Sequence, residues 1–126
     1  MARMLVVDDE KEISEFLADF FAEKGYVTRT APTGDAALAM LAEFQPDIIL
    51  LDIMMPGKNG LETLQEAKRL YPHIKVIMLS ALETTDKIES AIRLGADNYI
   101  TKPLSLEYLE KDVRRLEKIT ERFSKI

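Results

Sequence analysis

The chain contains no cysteine and a single histidine. The first absence removes disulfide frameworks, thiolate metal sites and cysteine nucleophiles at once. Positive charge is also in the minority: 17 basic against 22 acidic residues give a net charge of −5. That is the wrong sign for a protein whose main task is to neutralise nucleic-acid phosphates, so direct DNA or RNA binding is disfavoured. Nothing approaches the length of a membrane span. The apolar run at the start, Met1 to Val7, is too brief for a signal peptide, and a cytoplasmic location is expected. Neither a Gly-x-Gly-x-x-Gly turn nor a Walker-type Gly-Lys-Ser/Thr loop occurs, which argues against nucleotide binding. No internal repeat, low-complexity tract or Pro/Gly-rich linker divides the sequence.

What is present suits one folded domain. The 126 residues are 47% hydrophobic and 31% charged, enough apolar material to bury a real core. Short β-rich runs alternate with stretches of helical period. Met4 to Val7 precedes Ile13 to Phe21, Tyr26 to Thr30 precedes Ala36 to Phe44, and Ile48 to Leu51 precedes Leu61 to Leu70. Val76 to Leu79 then precedes Ile88 to Leu94, and Asn98 to Ile100 precedes a last helix from Ser105. Strands separated by helices imply parallel crossovers. The unbroken runs Leu5-Val6-Val7, Ile48-Ile49-Leu50-Leu51 and Val76-Ile77-Met78-Leu79 are what a sheet covered on both faces needs. The expected fold is a three-layer α/β domain. Gly25 and Gly95 stand where helix C-termini need a left-handed residue, and Thr33 and Thr84 or Thr85 are placed to cap helix N-termini.

In an open parallel sheet the ligand site forms at the carboxyl ends of the strands. Polar residues stand at four of the five expected ends: Asp8-Asp9 after the first strand, Asp52 after the third, Ser80 after the fourth, and Lys102-Pro103 after the fifth. Taken singly, Asp8 or Asp9 serves equally well as a helix cap, Ser80 as a turn residue and Lys102 as a solvated charge. Taken together they carry chemistry. Like charges repel by roughly 4 kcal/mol per pair at about 4 Å and an effective dielectric near 20. One lysine does not offset three carboxylates; a hard divalent cation does, and oxygen-only donors favour Mg²⁺ over zinc. With that cation and Lys102 the site is near neutral and can accept a phosphoryl group on Asp52 as nucleophile.

These residues, in this order, resemble a known family. Asp8-Asp9-Glu10, Asp52-Ile53-Met54-Met55-Pro56-Gly57-Lys58-Asn59-Gly60, Leu79-Ser80-Ala81 and Gly95-Ala96-Asp97-Asn98-Tyr99-Ile100-Thr101-Lys102-Pro103 are similar to the motifs of the receiver domain of bacterial two-component response regulators. The resemblance covers about Met4 to Leu116. It implies a flavodoxin-like sheet in the order 2-1-3-4-5, and a signalling switch that catalyses only its own phosphorylation and dephosphorylation. It also implies that Asp52 takes a phosphoryl group from the phosphohistidine of a sensor histidine kinase or phosphotransfer protein. Asp8, Asp9, Asp52 and the Met54 carbonyl would hold Mg²⁺. Lys102, positioned by a cis peptide to Pro103, would pair with the phosphoryl oxygens, while Ser80 and the Ala81 amide donate to them. Tyr99 would turn with Ser80 and reshape the face made by helix four, strand five and helix five, which controls a partner or output domain.

Two departures qualify the match. Ser80 stands where threonine is commoner, which loosens the expected coupling. Met54 and Leu82 occupy positions that could otherwise orient a water, so a long-lived phosphorylated state is expected. Met54 also stands where a phosphohydrolase resembling the haloacid dehalogenases needs a second acid. His73 falls between helix three and strand four, at the wrong end for the site, and reads as a loop residue. Gly57 and Gly60 read as loop and helix-start residues, and the six methionines as core filling.

The last segment, Ser105 to Ile126, would make about 33 Å of helix, more than such a domain needs. Leu109, Val113, Leu116, Thr120 and Phe123 form a heptad-like seam. The expected division is a receiver domain over residues 1–117 and a helical extension over 118–126. That extension would be a frayed end, a homodimer contact or the stem of an output domain.

Overall fold

The computed structural model describes residues 2–53, 59–81 and 85–124, with backbone alone at residue 85 and residues 120–124. Five strands and five helices alternate: β1 (Arg3–Val7), α1 (Lys11–Glu23), β2 (Val27–Ala31), α2 (Gly34–Phe44), β3 (Ile48–Asp52), α3 (Gly60–Leu70), β4 (Lys75–Ser80), α4 (Thr85–Arg93), β5 (Asn98–Thr101) and α5 (Leu106–Ser124). The strands form one parallel sheet in the order β2-β1-β3-β4-β5, as the resemblance implies.

Alternation along the strands sends side chains to two cores. Leu5, Val7, Ile49, Leu51, Val76 and Met78 meet Ala37, Leu41 and Phe44 of α2, Leu64 and Ala67 of α3 and Ala91 of α4. Met4, Val6, Ile48, Leu50, Ile77 and Leu79 meet Leu17, Ala18 and Phe21 of α1 and Leu109, Val113 and Leu116 of α5. The apolar runs are therefore continuous because both faces are covered. Met4 and Met78 are fully buried, in keeping with core filling. The first three members of the α5 seam are core residues of this domain, packed under the sheet.

Local chemistry sets the boundaries. Thr33 caps α2, its Oγ1 accepting from Ala36 N–H at 3.1 Å. Gly25 and Gly95 take φ of 99° and 101°, where a side chain would be strained. Gln45 also turns left-handed, with φ 51°, and ends α2 one residue before Pro46. Thr85 is the first residue of α4, and Thr84 lies outside the described residues.

Candidate phosphoryl-acceptor site

The crossovers bring the polar strand ends to one edge of the sheet. Asp8 follows β1, Asp52 ends β3, Ser80 ends β4 and Lys102 follows β5. Their backbones are tied into the ladder. Asp8 N–H donates to Ala31 O at 3.1 Å, Lys102 N–H to Ser80 O at 2.8 Å and Ile53 N–H to Leu79 O at 3.3 Å. Where these side chains start is thus set by the sheet.

Asp8, Asp9 and Asp52 each offer a carboxylate oxygen, and these oxygens lie within 4.8 Å of one another. Asp8 and Asp52 are buried and Asp9 is exposed, so the cluster opens to solvent on one side. Lys102 Nζ stands 3.3 Å from Asp8 Oδ2 and 3.5 Å from Asp52 Oδ2. Burial pulls the Lys102 ammonium toward deprotonation, but Asp52 and Asp8 outweigh it and its pKa lies above the ordinary lysine value. The group is a firm cation at neutral pH. Asp8 is oriented from both sides, since its Oδ1 accepts from Glu10 N–H at 2.9 Å while Oδ2 faces Lys102.

Three carboxylates against one ammonium leave a surplus of negative charge in a largely buried edge. Oxygen donors alone, in a cradle open on one side, suit a hard divalent cation that keeps part of its water shell. The donor set therefore fits Mg²⁺.

Ser80 is fully buried at the end of β4, its carbonyl bonded to Lys102 N–H, and Ala81 after it is exposed. Tyr99 is half-buried against the core on the α2, α3 and α4 side, paired in register with Met78; Ser80 pairs with Thr101. Strand alternation thus puts Ser80 and Tyr99 on one face of the sheet, with the Leu79–Ile100 pair between them. The Lys102–Pro103 peptide is cis. The structure thus brings Asp8, Asp9, Asp52, Ser80, Ala81 and Lys102 to one edge with Tyr99 beneath. Met54, Gly57 and Leu82 lie outside the described residues. His73 is exposed in the turn before β4, at the opposite edge.

Two features were not anticipated. The Glu10 backbone amide fixes Asp8, a contact no side-chain motif announces. Asn59 and Glu62 form a reciprocal capping box at α3, which the Asn-x-x-Glu spacing does announce.

Comparison with known proteins agrees with this geometry. The family model described as the response regulator receiver domain matches residues 4–114. This chain belongs to the response regulator receiver domain family. A CheY-like receiver domain protein of Methanospirillum hungatei is 30% identical, with a TM-score of 0.90 over 97% of this chain and 98% of its own. The Vibrio cholerae chemotaxis protein CheY4 is 29% identical, with a TM-score of 0.87 over 92% of this chain and 98% of its own. NtrX of Brucella abortus is 34% identical with a TM-score of 0.90; the match covers 98% of this chain but 28% of NtrX. The receiver fold therefore stands nearly alone in the first two and as one part of a longer protein in the third. Among the described residues of this receiver, no helix is long and apolar enough to cross a membrane.

Proposed function

We propose that this receiver is a phosphorylation-dependent switch in which Asp52 accepts a phosphoryl group from the phosphohistidine of a sensor kinase or phosphotransfer protein. A carboxylate oxygen of Asp52 attacks phosphorus as the phosphorus–nitrogen bond breaks. The electron pair of that bond returns to the donor imidazole, and an acyl phosphate forms on Asp52. The single observation that carries this reading is the convergence of three carboxylates, with oxygens within 4.8 Å of one another and two of them paired with the Lys102 ammonium.

Asp8, Asp9, Asp52 and the Met54 carbonyl would hold Mg²⁺, which when bound supplies positive charge to the oxygens of the incoming phosphoryl group. Lys102 already sits 3.5 Å from Asp52 Oδ2 and supplies the second positive charge. Ser80 Oγ and the Ala81 amide are the hydrogen-bond donors. Tyr99 reports the change to the face of α4, β5 and α5, where a partner or output domain reads it. The catalytic competence is limited to the chain's own phosphorylation and dephosphorylation, in the cytoplasm. In this reading residues 1–117 are the receiver and 118–126 an extension toward a homodimer contact or an output domain.

The test is to expose wild type and Asp52→Asn to Mg²⁺ with a small phosphodonor or beryllofluoride, following Tyr99 by fluorescence and the backbone by NMR. Wild type should gain the mass of one phosphoryl group with the donor and shift around Tyr99 with either reagent; Asp52→Asn should do neither. Equal labelling of both proteins removes Asp52 from the reaction.

A further inference from the structure

Gly60 is the first residue of α3, yet it is pressed against the strand that carries the phosphoacceptor. A Cβ at this position would lie 2.4 Å from Asp52 O, 2.6 Å from Ile53 Cα and 3.0 Å from the Asp52 carbonyl carbon. These are backbone atoms, so no side-chain rotation relieves the overlap. Gly60 N–H also donates to Ile53 O at 2.9 Å, tying the helix start to the residue after Asp52. The chain thus leaves the site at Ile53 and is returned to it at Gly60.

Neither partner is free to give way. On the helix side, Thr63, Leu64 and Ala67 are at most 1% exposed, and the Asn59–Glu62 capping box fixes the first turn. Thr63 adds a second tie, its N–H and Oγ1 each donating to Asn59 O at 3.1 Å. On the strand side, Ile53 is 2% exposed and its N–H is bonded to Leu79 O. A side chain at position 60 must therefore force apart the start of α3 and the Asp52–Ile53 backbone, and either shift disturbs the seat of the Asp52 carboxylate.

We infer that Gly60 is a positioning residue for phosphoryl transfer: its missing side chain lets α3 seat directly on the Asp52 backbone and so fixes the phosphoacceptor oxygens within the carboxylate cluster. The inference rests on Asp52 being the phosphoacceptor. Ligand-orienting contacts one layer behind a metal site are worth roughly tenfold or more in metal affinity, and displacements near 1 Å cost on the order of a hundredfold in rate.

The test compares Gly60→Ala with Leu41→Ala, a core truncation far from the site, at a temperature where circular dichroism shows both folded. Mg²⁺ affinity is read by calorimetry and phosphorylation rate with a small phosphodonor. Gly60→Ala should bind Mg²⁺ about tenfold more weakly and be phosphorylated more slowly by a larger factor. Leu41→Ala, though less stable, should match wild type in both. If Gly60→Ala does not fold, Asn59→Ala takes its place: loss of the cap should weaken Mg²⁺ binding several-fold, and Asn59→Ser should restore it. Wild-type affinity and rate in Gly60→Ala, or wild-type affinity in Asn59→Ala where that variant stands in, overturn the inference. A wild type that binds Mg²⁺ but takes no phosphoryl group overturns the phosphoacceptor reading instead.

Discussion

Two clusters at opposite edges of the sheet hold the same chemical types in opposite proportions. At the carboxyl edge the described residues group three carboxylates, Asp8, Asp9 and Asp52, with one ammonium, Lys102, which pairs with Asp8 and Asp52. One cluster at the amino edge shows the reverse: a single carboxylate, Asp97, lies between two ammonium groups, with Lys68 at 3.0 Å and Lys75 at 3.9 Å. Asp97 Oδ2 also accepts from Val76 N–H at 2.8 Å, and Lys68 Nζ donates to Ile74 O at 2.6 Å. The amino edge is thus a satisfied staple joining α3, β4 and the turn into β5. Its counterpart keeps an electrostatic deficit that no residue within this cluster cancels. Burying unbalanced charge lowers stability, so the comparison separates a region built for stability from one held ready for a ligand.

The largest effect should come from breaking the staple. Asp97→Ala leaves the Lys68 ammonium and the Val76 amide without their carboxylate. The expected loss is about 2 to 3 kcal/mol in urea unfolding, toward the low end because the pair is partly exposed. A loss under about 0.5 kcal/mol would put this ion pair among ordinary surface pairs and end the contrast.

A smaller effect is expected on the alkaline side. Tyr26, just before β2, donates its hydroxyl to Glu117 of α5 at 2.6 Å. Burial first, and then that hydrogen bond and the Glu117 charge, push its pKa above the ordinary phenol value near 10. The folded protein therefore holds this proton more tightly than the unfolded chain. Its stabilisation is complete below about pH 10 and is lost as pH rises toward the folded pKa. Lys102, raised by Asp52 and Asp8 against the pull of burial, has the same sign. Tyr26→Phe should cost about 1 kcal/mol at neutral pH and flatten the alkaline fall in stability, and tyrosinate absorbance should lose the component that titrates at the highest pH. An unchanged alkaline profile would remove Tyr26 from the amino-edge scaffold.

Much of this architecture was legible in the residues. The apolar runs located every strand to within a residue or two because both sheet faces are covered, and Gly25, Gly95 and Thr33 marked helix ends by conformational necessity. The strand-end positions of Asp8, Asp9, Asp52, Ser80 and Lys102 followed from topology, since parallel crossovers bring all carboxyl ends to one side. Contacts between distant residues were not legible. Lys68 and Asp97 are 29 positions apart and their pairing depends on how α3 lies on the sheet. The seam of α5 was ambiguous for a physical reason: a stripe at Leu109, Val113 and Leu116 is the same whether a helix packs on its own sheet or on a second helix. Gln45 shows that a helix may end left-handed without glycine, so a search for glycine alone misses it.

The most direct measurement is the thermal unfolding of wild type and Asp52→Asn, each with and without Mg²⁺. Without the cation Asp52→Asn should be the more stable by about 1 kcal/mol, because removing one carboxylate relieves two repulsions and costs one attraction. Mg²⁺ at ten times its Kd should then stabilise wild type by about 1.4 kcal/mol and leave Asp52→Asn nearly unmoved. If Asp52→Asn is the less stable of the two and Mg²⁺ shifts both alike, the carboxyl edge carries no charge deficit and the phosphoacceptor reading loses its basis.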